Sequence, residues 1–314
     1  MYSLRPKAMA RLGLSYEESR EINPGIIYRG MHGFGQNGPY ADRPAYDDLI
    51  QAAVGMPVPQ SRKAGPPEYV ATAIADRVVG MAATSAVSMA LFRRERSGQG
   101  QEVQVPMFET FAHLVMGDHL CGHTFVPAIG DWGYARMMNP DRRPYRTRDG
   151  YIGVNVYLDK HWQRFCEVSG HPEMAEDPRF ADIHGRTRHI GLLHAFLGQV
   201  FETKTTAEWA KLMTEADIPF TEMNTPESLL EDPHMRAVGF FAEEEHPSEG
   251  TLRSLGVAQR WSHSSPGLRY PAPRLGEHSV ELLAEYGFSE SEIDDLTSSG
   301  AVYAGEPHGT GRGA

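Results

Sequence analysis

The feature that most constrains the fold is a long helical pattern between two strand patterns. A helix is expected over residues 76–94, where small residues recur and permit close packing. Strands are expected over 26–32 before this helix and over 102–105 after it. The order strand, helix, strand is typical of α/β proteins. We therefore expect an α/β fold in which the helix is deeply buried.

The length of the chain predicts more than one domain. A chain of 314 residues exceeds the ~250–300 residues at which a single hydrophobic core stops growing. Asp149-Gly150, between two strand-like runs, is a strong β-hairpin signal and indicates a second, smaller α+β domain. The expected segments are a large-domain core over 1–125, a linker over 126–141, the small α+β domain over 142–225, a return segment to the large domain over 226–302 and a flexible tail over 303–314.

Three helix starts are indicated by capping-box patterns, in which a Ser or Thr is followed three residues later by Glu. These pairs are Ser15 with Glu18, Thr205 with Glu208 and Ser289 with Glu292.

The acidic balance of the chain argues against one class of function. Its 30 lysines and arginines are outnumbered by 41 acidic residues, which gives a net charge of -11. Such a charge repels nucleic acid phosphates and anionic lipids. No apolar run approaches the ~18 residues that a membrane span needs. We therefore expect a cytoplasmic protein whose partners include neither nucleic acid nor a membrane.

The cysteines and histidines give little support for a metal site. Cys121 and Cys166 are the only cysteines and do not form a CxxC pair. His119 and His123 would share a face of a continuous helix and could in principle hold a metal. A recognisable third ligand is missing, so we interpret them as ordinary hydrogen-bonding histidines and expect no metal.

The residue pattern alone leaves the catalytic residue open. Asp76 follows a nearly apolar run and opens the expected helix, and a helix N-cap is the commoner role for an aspartate there. Tyr46 and Asp47 form a second candidate cluster, although a tyrosine is more often packed in a core. The chain has no P-loop, GxSxG, GxGxxG or HExxH motif, so the common hydrolase and nucleotide-binding functions lack their signatures.

One run resembles the signature of family III CoA-transferases, the CaiB/BaiF type: GFGQNGPYADRPAYDDLIQAAVG over 33–55. Further segments resemble the same family in the same order. They are Ala75-Asp76 with its helix, GQGQEV over 98–103, RPYRTRDGY over 143–151, DPRF over 177–180, LGEH over 275–278 and YGF over 286–288. The resemblance extends from about residue 5 to residue 296.

The resemblance implies transfer of CoA from an acyl-CoA to a small carboxylic acid, without a permanently bound cofactor. Asp76 matches the aspartate that forms the covalent aspartyl anhydride and aspartyl-CoA intermediates. Tyr46, Asp47 and Gln36 are implied to line the active site, with Tyr46 and Asp47 near the acyl group. Arg11 matches a position that contacts the CoA phosphates, and Met107 matches one that lines the CoA site.

Acyl-CoA racemases and epimerases of the same superfamily provide an alternative function. They carry a histidine at the position of Tyr46, and a phenol with a pKa near ~10 is a poor base for a carbon acid. The resemblance therefore favours transfer over racemisation. The glycine-rich loop of formyl-CoA transferases has no clear counterpart, so oxalate and formate are not the expected substrates.

The family resemblance also implies that the N-terminal part of the large domain is missing. Family members begin with a strand, helix and strand that complete a Rossmann-like large domain, and this chain begins after them. We therefore expect an incomplete Rossmann-like domain within an interlocked homodimer. A truncated, inactive family member is a further alternative.

Overall fold

The structure is a computed structural model that describes residues 1–61, 65–267 and 270–305. Most of the tail expected over 303–314 lies outside these residues. Contacts divide the chain into two compact units, Met1–Met223 and Asn224–Ala314. The domain limits expected from the sequence remain predictions.

The first unit contains ten described helices and five described strands. The helices are α1 (Pro6–Arg11), α2 (Tyr16–Ile22), α3 (Asp47–Ala53), α4 (Pro57–Gln60), α5 (Ile74–Ser97), α6 (Met107–His119), α7 (Asp159–Ser169), α8 (Ile183–Arg188), α9 (Ile190–Phe201) and α10 (Thr206–Glu215). The strands are β1 (Ile27–His32), β2 (Gln101–Pro106), β3 (Tyr145–Arg146), β4 (Tyr151–Val154) and β5 (Phe220–Glu222). This mixture of helices and strands confirms the α/β class.

Strands β1 and β2 form a parallel pair that is connected through α5. Their register pairs Ile27 with Gln101 and continues to His32 opposite Pro106. Gly100 precedes β2 where the chain passes close to β1, and a Cβ there would lie 1.9 Å from the carbonyl oxygen of Ile26. Glycine is therefore required for the two strands to approach each other in this register.

Helix α5 begins two residues earlier and ends three residues later than expected. Gly98 is its C-cap, with a φ of 70°, the left-handed conformation that favours glycine at a helix end. The expectation of deep burial is wrong, because α5 buries only one face, against β1, β2, α3 and α6. Its buried residues are Ala75, Val79, Ala83 and Ala90. On the opposite face Met81 is 73% exposed.

The apolar character of α5 also corrects a sequence expectation. Among the described residues, this is the one helix long and apolar enough to cross a membrane, although no such stretch was expected. Length and composition are weak evidence for a membrane span, because core helices of soluble proteins meet the same criteria. Asp76 and Arg77 lie in its first turn, and it packs against β1 and β2.

A separate hydrophobic cluster occupies residues 145–218 of the first unit. Strands β3, β4 and β5 form an antiparallel sheet, and the β3–β4 pair confirms the hairpin predicted around Asp149-Gly150. Trp162, Phe165 and Trp209 are fully buried in this cluster. The predicted capping box that begins α10 is present.

The second unit contains an antiparallel pair and four described helices. Its strands are β6 (Phe241–His246) and β7 (Gly250–Leu255). Its helices are α11 (Pro226–Leu230), α12 (Pro233–Ala237), α13 (Ser279–Glu285) and α14 (Glu290–Ser298). The capping box predicted at Ser289 and Glu292 begins α14.

Candidate active site

A cavity of about 300 Å³ lies at the carboxyl end of β1, next to the first turns of α5 and α6. The carboxyl ends of parallel strands are the usual place for ligands in open α/β sheets. The cavity is lined by Ser3, Arg5, Pro6, Met31, His32, Gly33, Gln36, Ala41, Arg43, Pro44, Ala45, Asp76 and Met107. Three residues singled out from the sequence, Asp76, Gln36 and Met107, therefore line one cavity.

Asp76 is the third residue of α5, and Ala73 occupies the N-cap position. The N-cap interpretation of Asp76 is therefore wrong. Its side chain is exposed, and its main-chain N–H donates to Oδ2 of Asp47 over 3.0 Å. Both carboxylates consequently lie at the positive end of the helix dipole, which stabilises negative charge.

Asp47 and Tyr46 lie at the start of α3, where Tyr46 is the N-cap residue. Asp47 contacts α5 by accepting the hydrogen bond from the Asp76 main-chain N–H, but it does not itself line the cavity. Tyr46 is 74% exposed and also lies outside the cavity lining, so the interpretation as a core tyrosine is wrong for this chain. Its expected role near the acyl group stays a prediction.

Gln36 and Met107 reach the cavity from different elements. Gln36 donates from Nε2 to the carbonyl oxygens of Phe34 and Ala41, at 2.9 and 3.4 Å, and thereby holds the loop after β1. Met107 is the first residue of α6. Arg11 ends α1, is exposed, and is not one of the lining residues. Its expected contact with CoA phosphates stays a prediction.

Three ionisable lining residues were not identified from the sequence: Arg5, Arg43 and His32. Arg5 is the N-cap residue of α1, and the guanidinium carbon of Arg43 lies 3.8 Å from the ring centroid of Tyr40. Arg5-Pro6 and Arg43-Pro44 both lie in segments that resemble the family, which was the available signal.

His32 is almost fully buried, and its Nε2 has no hydrogen-bond partner. Burial lowers the pKa of His32, while the charge of Glu102 acts in the opposite direction. The imidazole is therefore expected to be neutral near pH 7, when it cannot contribute positive charge to the cavity.

The histidine pair considered as metal ligands is not presented on one helix. His119 is the last residue of α6, whereas His123 lies in a separate 3-10 turn. Among the described residues, no group of three or more His, Cys, Asp or Glu side chains could hold a metal ion. Burial raises the pKa of the Cys166 thiol to about 12, so this cysteine is a packed side chain rather than a reactive thiolate.

A carboxylate and two guanidiniums around a cavity at the end of a parallel strand pair are typical of an enzyme site for anionic substrates. The model of CoA-transferase family III matches residues 1–279. The chain belongs to this family.

Relatives and a solved structure agree with this assignment. The chain is 32% identical over 305 residues to an acyl-CoA transferase of Fusarium pseudograminearum, covering 96% of this chain and 66% of that protein. It is 27% identical over 308 residues to the succinyl-CoA:glutarate CoA-transferase of Homo sapiens, covering 96% and 69%. The crystal structure of Rv3272 from Mycobacterium tuberculosis superimposes with a TM-score of 0.75 at 28% identity, covering 89% of this chain and 74% of that one.

The chain is thus shorter than these proteins. It spans 66% of the Fusarium protein and 69% of the human protein.

Proposed function

We propose that the protein transfers CoA from an acyl-CoA thioester to a carboxylic acid, with Asp76 as the nucleophile. The observation that carries this proposal is that the exposed carboxylate of Asp76 shares a cavity with Arg5 and Arg43. Family membership and the names of the relatives support the same reaction class.

The proposed reaction has four steps. A carboxylate oxygen of Asp76 attacks the thioester carbonyl carbon, and the C–S bond breaks to give a mixed anhydride and CoA thiolate. The thiolate attacks the Asp76 carbonyl, releasing the donor acid as its carboxylate and forming aspartyl-CoA. The acceptor carboxylate attacks this thioester and expels the thiolate, giving a second anhydride. The thiolate then attacks the acceptor carbonyl, which yields the new acyl-CoA and regenerates the Asp76 carboxylate.

The positive charges in the cavity suit this sequence. In the third step Asp76 is an uncharged thioester, but the acceptor carboxylate must approach close to the Asp47 carboxylate and its attack expels a thiolate, and like charges repel. The guanidiniums of Arg5 and Arg43 offset this repulsion and can donate charge-assisted hydrogen bonds to a carboxylate. A racemase would gain less from them, because its reaction does not add a second carboxylate.

The remaining expected contacts belong to the same proposal. Arg11 is assigned to the CoA phosphates and Met107 to the wall of the CoA site, whereas Tyr46 and Asp47 are placed near the acyl group. We also propose that the enzyme acts in the cytoplasm as an interlocked homodimer.

The test is acyl exchange by the wild-type chain and by Asp76→Asn, with succinyl-CoA and other acyl-CoA donors against a panel of carboxylic acids. We expect wild type to form new acyl-CoA and Asp76→Asn to lose at least about 10³-fold in rate, because a carboxamide cannot form the anhydride. Unchanged turnover by Asp76→Asn would refute the proposal. Deuterium exchange at C2 of the acyl group without acyl exchange would instead identify a racemase or epimerase.

A further inference from the structure

We propose that Gln51 is a positioning residue that fixes the Asp47 carboxylate and, through it, the first turn of α5 that carries Asp76. The inference rests on the proposed function, because it assigns Gln51 a role in placing the nucleophile. Gln51 lies in α3, outside the lining of the active-site cavity.

The side chain of Gln51 is fully buried and makes one hydrogen bond from each end of its amide. It is 0% exposed. Its Nε2 donates to Oδ1 of Asp47 over 2.6 Å, and its Oε1 accepts from the main-chain N–H of Val70 over 3.0 Å. A glutamine can do both at once, since its amide carries a donor and an acceptor.

The second oxygen of Asp47 continues this hydrogen-bonded series. Asp47 Oδ2 accepts from the main-chain N–H of Asp76 over 3.0 Å. Val70 and Asp76 lie on either side of the segment that enters α5, so Gln51 and Asp47 together hold both ends of that segment. Within it, the amides of Thr72 and Ile74 donate to the carbonyls of Val70 and Thr72, each over 2.7 Å. Four hydrogen bonds, from the amides of residues 70, 72, 74 and 76, therefore hold the segment that leads to the nucleophile.

Loss of the Gln51 amide has a defined consequence. Without its donor, Asp47 loses the contact that orients its carboxylate, and the partly buried Val70 N–H loses its acceptor. The carboxylate of Asp47 can then rotate away from the Asp76 amide. Small displacements of a reacting group lower catalytic rates strongly, whereas binding of substrate elsewhere in the site is preserved.

The experiment compares Gln51→Met and Gln51→Glu with wild type, and uses Gln163→Met as a matched control. Gln163 is an exposed glutamine on α7. We expect Gln51→Met to lower kcat for acyl exchange about 10- to 100-fold, with a change of less than about threefold in the KM for acyl-CoA, because the lost group orients the nucleophile. Gln163→Met should leave both constants unchanged.

Gln51→Glu adds a readout that a purely structural role would not change. When the introduced glutamate is ionised, its carboxylate would repel Asp47. When it is protonated, its O–H could donate a hydrogen bond to Asp47 and restore the contact. We therefore expect the kcat of this variant, divided by that of wild type, to rise as the pH falls from 9 to 5. Besides Asp47, ionisable groups on α3 and on the helices packed against it include Asp48 on α3, Asp76 and Arg77 on α5, and Glu109 and His113 on α6. They are common to both proteins, so this ratio isolates position 51.

The outcomes separate this inference from the proposed function. Wild-type kcat in folded Gln51→Met, with Asp76→Asn inactive, overturns the positioning role and leaves the function intact. Activity in Asp76→Asn overturns both. If Gln51→Met does not fold, Gln51→Glu decides: recovery at low pH supports the role, and a ratio independent of pH overturns it.

Discussion

Arg43 is one of the two arginines proposed to offset the charge of the acceptor acid. Arg43→Gln removes that charge and keeps a hydrogen-bonding side chain in the cavity lining. A hydrogen bond to a charged group contributes about 1.5–3 kcal/mol, so we expect the KM for the carboxylic acid to rise about 10-fold or more. The KM for acyl-CoA should change much less. Steady-state kinetics with each substrate varied in turn checks this.

Arg188→Gln is the control for Arg43→Gln, since Arg188 is an exposed arginine in the last turn of α8. A rise in the KM for acyl-CoA alone would assign Arg43 to the CoA moiety instead.

The lowered pKa of His194 makes the free energy of unfolding depend on pH. Burial lowers its pKa from 6.5 to about 4, and its Nδ1 is hydrogen-bonded to the Tyr145 hydroxyl at 2.7 Å. Between these pH values the unfolded chain binds the additional proton, so the stabilisation present above pH 6.5 is lost as the pH falls towards 4. The limiting slope for one proton is about 1.4 kcal/mol per pH unit.

Urea unfolding of His194→Gln between pH 4 and 7 measures this effect. The variant should show a smaller fall in unfolding free energy than wild type. His184→Gln, which replaces an exposed histidine of α8, should follow wild type. Equal slopes for wild type and His194→Gln would contradict the assignment.

Among the residues of the candidate site, the sequence predicted only a part. Local pattern favoured an N-cap role for Asp76, and only the family resemblance indicated a nucleophile. Gln36 and Met107 could be anticipated through the same resemblance. Arg5 and Arg43 lie in segments covered by the same resemblance but were not identified, because their place in the cavity depends on how the loop after β1 folds towards α1 and α5. The contact from Asp47 to the Asp76 amide likewise joins residues 29 positions apart.

Among the elements, the parallel pair β1–β2 depends on one close approach. Gly100→Ala would place a Cβ 1.9 Å from the Ile26 carbonyl oxygen, a backbone atom that cannot move without shifting β1. We expect a loss of about 1–3 kcal/mol in unfolding free energy, as is typical of overpacking. Chemical denaturation followed by circular dichroism measures it.

Gly80→Ala is the matched control for Gly100→Ala. A Cβ at Gly80 would meet no atom within 4 Å, and the residue lies within α5. Replacing glycine inside a helix stabilises it by about 0.5–1 kcal/mol. A loss of stability in Gly100→Ala no greater than in Gly80→Ala would contradict the proposed strand contact.

Element positions were predictable where the signal is local. The capping boxes at Ser15, Thr205 and Ser289 and the hairpin at Asp149-Gly150 are all present, because each depends on residues within a few positions. The burial of α5 was predicted wrongly. Small residues permit packing on any face of a helix, but which face is covered depends on the elements that lie beside it.

For the whole molecule, the described parallel sheet of the first unit is small compared with the helix that packs on it. It consists of β1 and β2, with a bridge from Tyr2 to Gly30, whereas α5 has 24 residues and an exposed apolar face. The α/β class was predictable because the order of strand and helix patterns determines it. The extent of the sheet was not, since it depends on pairing between distant segments.

In the proposed reaction Asp76 becomes covalently bonded to CoA, and hydroxylamine can trap this intermediate. Hydroxylamine attacks the carbonyl of aspartyl-CoA, releases CoA and leaves a hydroxamate on the aspartate. Peptide mass spectrometry after incubation with acyl-CoA should place this hydroxamate on Asp76, and it should be absent without acyl-CoA. An actively exchanging preparation with an unmodified Asp76, or with the hydroxamate on another residue, would show that Asp76 is not the nucleophile.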